Sequence, residues 1–162
     1  MAKPSARWRV ARAAAVGVIA LAILPVRAAG QACTSGDGRY KVKVQPRVVA
    51  FPLPSLADFE VGWVLADPMT VRVIPRGKAF RGWELCIRSD DPDMGGYGKP
   101  ISDLEWRIGG TGAWQPLTSG NQLVAAGYSN ETVSVELRAR LDWERDVPDT
   151  YSAAVTFVSA TL

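Results

Sequence analysis

Acidic side chains and tryptophans are the residues of this chain whose types and spacing could do chemistry. Asp142, Glu144 and Asp146 alternate around Trp143, and Asp149 follows. Glycoside hydrolysis needs two carboxyl groups facing each other across a sugar. Acids crowded beside a turn are also what a solvated loop carries, and that reading is favoured here. Asp90, Asp91 and Asp93 form a second cluster. Calcium takes oxygen ligands of this kind, but the spacing matches no EF-hand loop, so a solvated acidic turn is expected. Beyond residue 32 the tryptophans are Trp63, Trp83, Trp106, Trp114 and Trp143. An exposed indole offers a flat face on which a sugar ring can stack. Trp83 and Trp106 fall in phase with apolar neighbours, and Trp63 sits beside Val61, Val64 and Leu65, so these three are assigned to the core. Trp114 adjoins a glycine-rich loop and Trp143 lies between two acids. They are the candidate exposed aromatics and the candidate ligand-binding residues, although core or rim packing is favoured over sugar binding for both.

Most other chemistry is excluded. The chain has no histidine, which removes Ser-His-Asp and Cys-His catalysis and every histidine metal site. Its two cysteines, Cys33 and Cys86, are too few for a cysteine-zinc site. No phosphate-binding or dinucleotide fingerprint is present. No catalytic residue, metal or cofactor is therefore assigned. The 19 basic and 16 acidic residues give a net charge of +3, but five of the basic ones (Lys3, Arg7, Arg9, Arg12, Arg27) and none of the acidic ones lie in residues 1–32. The remainder is net acidic, without the clustered basic surface that nucleic-acid binding needs.

The positive start, the apolar run over residues 13–24 and the small residues leading to Ala32 form the layout of a secretory signal peptide. The run is shorter than the roughly 20 residues of a membrane span, and Pro25 interrupts it. Cleavage is expected after Ala32, with Ala28 and Ala29 as alternative sites. That leaves one domain over residues 33–162, with Cys33 at its start and no transmembrane span. In the oxidising compartment such a signal implies, two cysteines pair. A Cys33–Cys86 bond would stabilise by about 4 kcal/mol on the loop-entropy estimate. Lipidation of Cys33 is the alternative, although Gly30 and Gln31 are poor residues for a lipoprotein cleavage site.

The domain that must position these residues reads as β-strands, because apolar residues recur at every second position. Val133, Val135, Leu137, Ala139 and Leu141 alternate with Ser134, Glu136, Arg138 and Arg140, so one face meets a core and the other meets water. Tyr40, Val42 and Val44 repeat the pattern, as do Val71 and Val73, then Trp83, Leu85 and Ile87, then Leu104, Trp106 and Ile108. Tyr151, Ala153, Val155 and Phe157 make the last strand. No helix is expected. Glycines 109, 110 and 112 form a hairpin loop leading to a strand over residues 113–117, and Pro148 and Asp149 suit a turn. Residues 90–100 are the longest clear loop. In the strand of Trp83, period two puts Cys86 on the outer face with Glu84 and Arg88, so its bond to Cys33 would be a staple across that face unless a bulge intervenes. Strands at this spacing, separated by Gly, Pro, Asp and Asn, predict an all-β fold, a single antiparallel sandwich or barrel.

A strand running into Gln45-Pro46-Arg47-Val48-Val49-Ala50-Phe51, a Trp83-Glu84-Leu85 strand, and the closing run Pro148-Asp149-Thr150-Tyr151 with its alternating continuation to Phe157 resemble exported bacterial modules of the pilin, spore-coat-protein-U and WxL-surface-protein kind. The resemblance implies an Ig-like β-sandwich that builds or decorates a cell surface through protein–protein contacts. Its partners would be envelope or surface proteins, further copies of the chain included, in the periplasm, at the cell surface or outside the cell. Asp149 stands where such closing turns usually carry glycine, and Phe157-Val158-Ser159 occupies the place of a second Trp-x-Leu. A sandwich that binds carbohydrate or an envelope polymer through Trp114 and Trp143 is the alternative.

Overall fold

The computed structural model describes Cys33 and residues 39–77, 82–95, 98–146 and 150–162. The expected signal peptide, its cleavage point at Ala32 and the turn at Pro148 and Asp149 lie outside the described residues.

Two antiparallel sheets pack face to face. The first runs β1 (Tyr40–Gln45), β3 (Met69–Pro75), β8 (Glu131–Arg140), β5 (Leu104–Ile108) and β6 (Gln115–Pro116), with β2 (Trp63–Leu65) on β8 beside β3. The second places β4 (Trp83–Ser89) between β7 (Gln122–Gly127) and β9 (Val155–Thr161). With β2 and β3 taken as one interrupted second strand, these neighbourhoods follow the A–B–E–D and C–F order of an immunoglobulin-type sandwich, with β6 and β7 inserted before the fifth strand. The core forms between the sheets, from Val71 and Val73 of β3, Trp83, Leu85 and Ile87 of β4, Leu104 and Trp106 of β5, and Val135 and Leu137 of β8. These are the inward sets that period two selects.

Local irregularities explain what alternation alone does not show. Between β2 and β3 the chain gains one residue on β8, since Leu65 faces Arg138 and Met69 faces Val135. The Ala66 amide keeps contact by donating to the Leu137 carbonyl. Pro68, which has no N–H to give a ladder, sits in that bulge. A second bulge lies in β7: Ala125 faces Leu85 but Leu123 faces Cys86, so the extra residue is Val124. Gly127 closes β7 against Trp83, where a Cβ would come within 2.6 Å of the indole.

A short helix, α1 (Leu56–Val61), corrects the expectation of none. It buries no residue, so it leaves no apolar period to read. Its signals are at its ends. The Ser55 hydroxyl accepts from the Asp58 amide, the Asp58 carboxylate accepts from the Ser55 amide, and Gly62 terminates the helix at φ +80°, a capping box and a left-handed C-cap. The last strand also differs from expectation in extent. It keeps the predicted phase but runs from Val155 to Thr161. Tyr151 and Ala153 precede it, in a segment held to the 90–100 loop by Ser152 donating to Met94 and Asp90 donating to Ala154.

Candidate functional site: an open strand edge and an aromatic–arginine face

β9 is joined to β4 in unbroken register from Trp83–Thr161 to Ser89–Val155. Among the described residues no strand pairs with its other edge. β1, the last strand of the opposite sheet on this side, approaches it without a ladder between them. The inner residues of the two edges, Val42 and Val44 on β1 and Val155 and Phe157 on β9, pack on the core yet stay only partly buried. Trp83, Leu85 and Ile87 of the central strand are fully buried. The core is therefore covered less well along this seam than at its centre.

An exposed strand edge is a template for another strand, and proteins blunt it with charge, proline, shortness or a bulge. β1 turns Lys41 and Lys43 outward. β2 is three residues long, and β6 is two and includes Pro116. β7 is bulged. β9 reads Val-Thr-Phe-Val-Ser-Ala-Thr: seven residues with no charge, no proline and no break in register.

The cysteines predicted to pair do so. Cys33 and Cys86 form a disulfide with a Cα–Cα distance of 6.2 Å. A sulfur held in a disulfide carries no thioether lipid, so the bond displaces the lipid alternative. It lies on the outer face of the β4 sheet as period two requires. The bulge near Cys86 is in β7, and β4 keeps its alternation along β9. Cys33 covers Cys86, Val158 and Ala160 as a small cluster separate from the main core. Its amide donates to the Glu84 carboxylate at 3.1 Å, and its carbonyl accepts from the Asn121 side chain. One residue thus clamps the strand next to β9.

The two aromatic candidates have separate surroundings. Trp114 is half-buried, with the Arg107 and Arg138 guanidiniums 4.4 and 4.5 Å from its ring. Trp143 is 60% exposed and stacks on Phe59 of α1, ring centroids 4.2 Å apart. No ring contact joins Trp114 to Trp143 among the described residues. Trp63 is a correction: Val64 takes the core position of β2, while Trp63 is 37% exposed on the outer face, 5.6 Å from the Arg138 guanidinium. It pairs with Arg140 across the β2–β8 ladder, so the two side chains stand side by side. The missed signal was parity, since with Val64 inward both its neighbours must point out. Trp63, Gly62, Glu105, Arg138, Arg140, Asp142 and Arg145 line a cleft of about 420 Å³.

The acids in and around this cleft are engaged. Glu105 pairs with Arg138 at 2.5 Å, and Asp142 with Arg145 at 2.6 Å. Bonds from Arg145 and the Glu144 amide hold the Asp142 carboxyl below its ordinary range, the reverse of what a proton-donating catalytic acid needs. Asp146 turns away to the buried Lys99 ammonium at 2.5 Å, which also meets Asp103 at 3.4 Å. Asp149 is outside the described residues. In the 90–100 loop the aspartates face separate partners: Asp90 accepts from Thr156, Asp91 from the Ala154 amide, and Asp93 from the Gly95 amide. Two of the three fasten the start of β9. No group of three or more metal-ligating side chains forms among the described residues, and no helix there is long and apolar enough to cross a membrane.

Comparison of the chain with protein-family models, with curated proteins and with solved structures finds no match.

Proposed function

We propose that this chain is an exported envelope or surface module that assembles by accepting a β-strand from another protein along the edge of β9 that faces away from β4, beside Val155 to Ala160. The observation that carries the reading is the contrast among edges: β9 is long, regular and uncharged where the other edges are guarded. Main-chain hydrogen bonds to an added strand supply affinity in this mode of recognition, and alternate side chains supply specificity. The donor that fits is an extended segment of about seven residues, matching β9, whose alternate apolar side chains complete the cover over Val155, Phe157, Val42 and Val44. It comes from another envelope or surface protein, or from a further copy of this chain. The module is not an enzyme on this reading. The lack of histidine and the engagement of the clustered acids support that. The signal-like start and the disulfide support export.

The test is the surface fraction of producing cells, run on a gel with and without boiling. A high-mass ladder that collapses on boiling is expected. Thr156→Lys places on β9 the residue type that guards β1, beside Asp90 as an ion-pair partner, and should abolish the ladder while the protein stays folded. A wild-type protein found as one species near its own mass in every fraction overturns the reading.

A further inference from the structure

The cleft beside Trp63 has a charge pattern of its own, independent of strand acceptance. Three guanidiniums and two carboxylates line it. Arg138 is matched to Glu105 and Arg145 to Asp142. Arg140 is exposed and has no ion-pair partner among the described residues. One uncompensated cation therefore stands next to a partly exposed indole, over a floor of paired charges. Pairing leaves lone pairs on both carboxylates, so Glu105 and Asp142 still accept from hydroxyl groups. The volume lies in the range of small-molecule sites, and it is bounded by β2, the end of β8 and the 141–145 segment rather than by one mobile side chain.

These features select a ligand. A fully anionic polymer such as nucleic acid would meet two carboxylates and a net acidic domain. A neutral sugar would use the indole and the acceptors and leave Arg140 unmatched. A ring that carries both hydroxyls and a carboxylate uses all three. We propose that the cleft binds an acidic sugar, a uronic-acid unit of a polysaccharide, with its ring stacked on Trp63, its carboxylate paired to the Arg140 fork and its hydroxyls donating to Glu105 and Asp142. The guanidinium geometry suits a carboxylate, which it can meet with two parallel hydrogen bonds. The site is neither of the two tryptophans that sequence favours. Trp114 is covered by arginines, and Trp143 stacks on Phe59 outside the cleft lining.

Affinity electrophoresis of the purified protein tests this, in native gels that contain polygalacturonate, the same polymer fully methyl-esterified, or polyglutamate. Retardation by polygalacturonate alone is expected. Arg140→Gln, at an exposed position, should weaken it at least tenfold, and Trp63→Ala likewise. Trp63→Tyr keeps an aromatic face and should retain binding, which separates lost stacking from lost folding. Thr156→Lys should be retarded like the wild type, so failure of strand acceptance and failure of sugar binding are read apart. Absence of retardation, equal retardation by the esterified polymer or by polyglutamate, or an Arg140→Gln protein that binds normally would each overturn the proposal.

Discussion

β7 and β9 flank the same central strand, have similar lengths and close the same sheet, yet their outer edges are treated differently. β7 gains a residue at Val124, so its register slips between Leu85 and Cys86 of β4. A bulge twists an edge and breaks the regular row of donors and acceptors that a further strand would need. β9 keeps register with β4 over all seven residues. Its start is pinned by Asp90 and Asp91, and its outer face near the end is clamped by Cys33. One edge is spoiled as a template, and the other is held straight. A regular, unguarded edge is an aggregation hazard unless another strand covers it, and this contrast is what the proposed assembly at β9 rests on.

The largest effect that could break this comparison is a matched pair of substitutions. Thr156→Lys on β9 should abolish assembly. Leu123→Lys, on the exposed outer face of β7, should leave it intact, because that edge is already unfit. Loss of assembly in both, or in neither, would remove the distinction between the edges. Gel ladders and light scattering read both variants.

Removing the clamp comes next. Cys33→Ser with Cys86→Ser should cost about 4 kcal/mol in denaturant unfolding by the loop-entropy estimate, and reduction of the wild type should reproduce most of it. The loss would also uncover Glu84, which is buried under Cys33. A folded double mutant should then show faster amide exchange in β9 than in β7, since Val158 and Ala160 lose their cover. Equal exchange in both strands would mean that the disulfide stabilises the chain without holding β9.

Lys99 ties the 90–100 loop to the segment that precedes β9. Its ammonium is buried between Asp103 and Asp146 and lies 5.8 Å from the Tyr151 ring. Lys99→Met leaves the buried Asp146 carboxylate without its cation and Asp103 with only Arg145 at 3.9 Å, a loss of roughly 3 kcal/mol. A chemical melt measures it. A loss under about 1 kcal/mol would show that water already screens the group, as it does for exposed pairs.

How much of this was legible in the sequence depends on where the information lay. The inner faces of β1, β3, β4, β5 and β8 followed from alternation because each strand is regular and has one face in the core. The disulfide and its place on the outer face of β4 followed from parity and cysteine count. β7 was not legible, because its bulge sets Leu123, Val124 and Ala125 in a row and erases the alternation. Trp63 reads as core because four apolar residues surround Gly62, but alternation lets β2 bury either Val64 or the pair Trp63 and Leu65, and Val64 is the one buried. α1 buries nothing, and only Ser55, Asp58 and Gly62 mark it. Trp114 and Trp143, for which sequence favours core or rim packing over sugar binding, are half-buried and exposed respectively. Their partners, Arg107, Arg138 and Phe59, come from distant segments, and nothing in local sequence points to them. The guarded and unguarded edges need the strand order before Lys41, Pro116 or the plain composition of β9 acquires meaning.

The smallest expected effect concerns the aspartates that sequence offered to calcium. Asp91 accepts from the Ala154 amide at 2.6 Å, just before β9 begins. Asp91→Ala removes a charged acceptor from a backbone donor, a loss of about 1.5–3 kcal/mol where such a bond is sheltered. At this exposed position the lower end is expected, because water can replace the carboxylate. The change should be local, with faster exchange at Ala154 and Thr156 and little at β7. Added calcium or a chelator should leave the wild-type melting temperature unchanged, because the Asp90, Asp91 and Asp93 carboxylates face three different donors instead of one point. A calcium-dependent rise in melting temperature that Asp91→Ala abolishes would instead make the loop a cation site, and β9 would then be held straight by a metal rather than by hydrogen bonds.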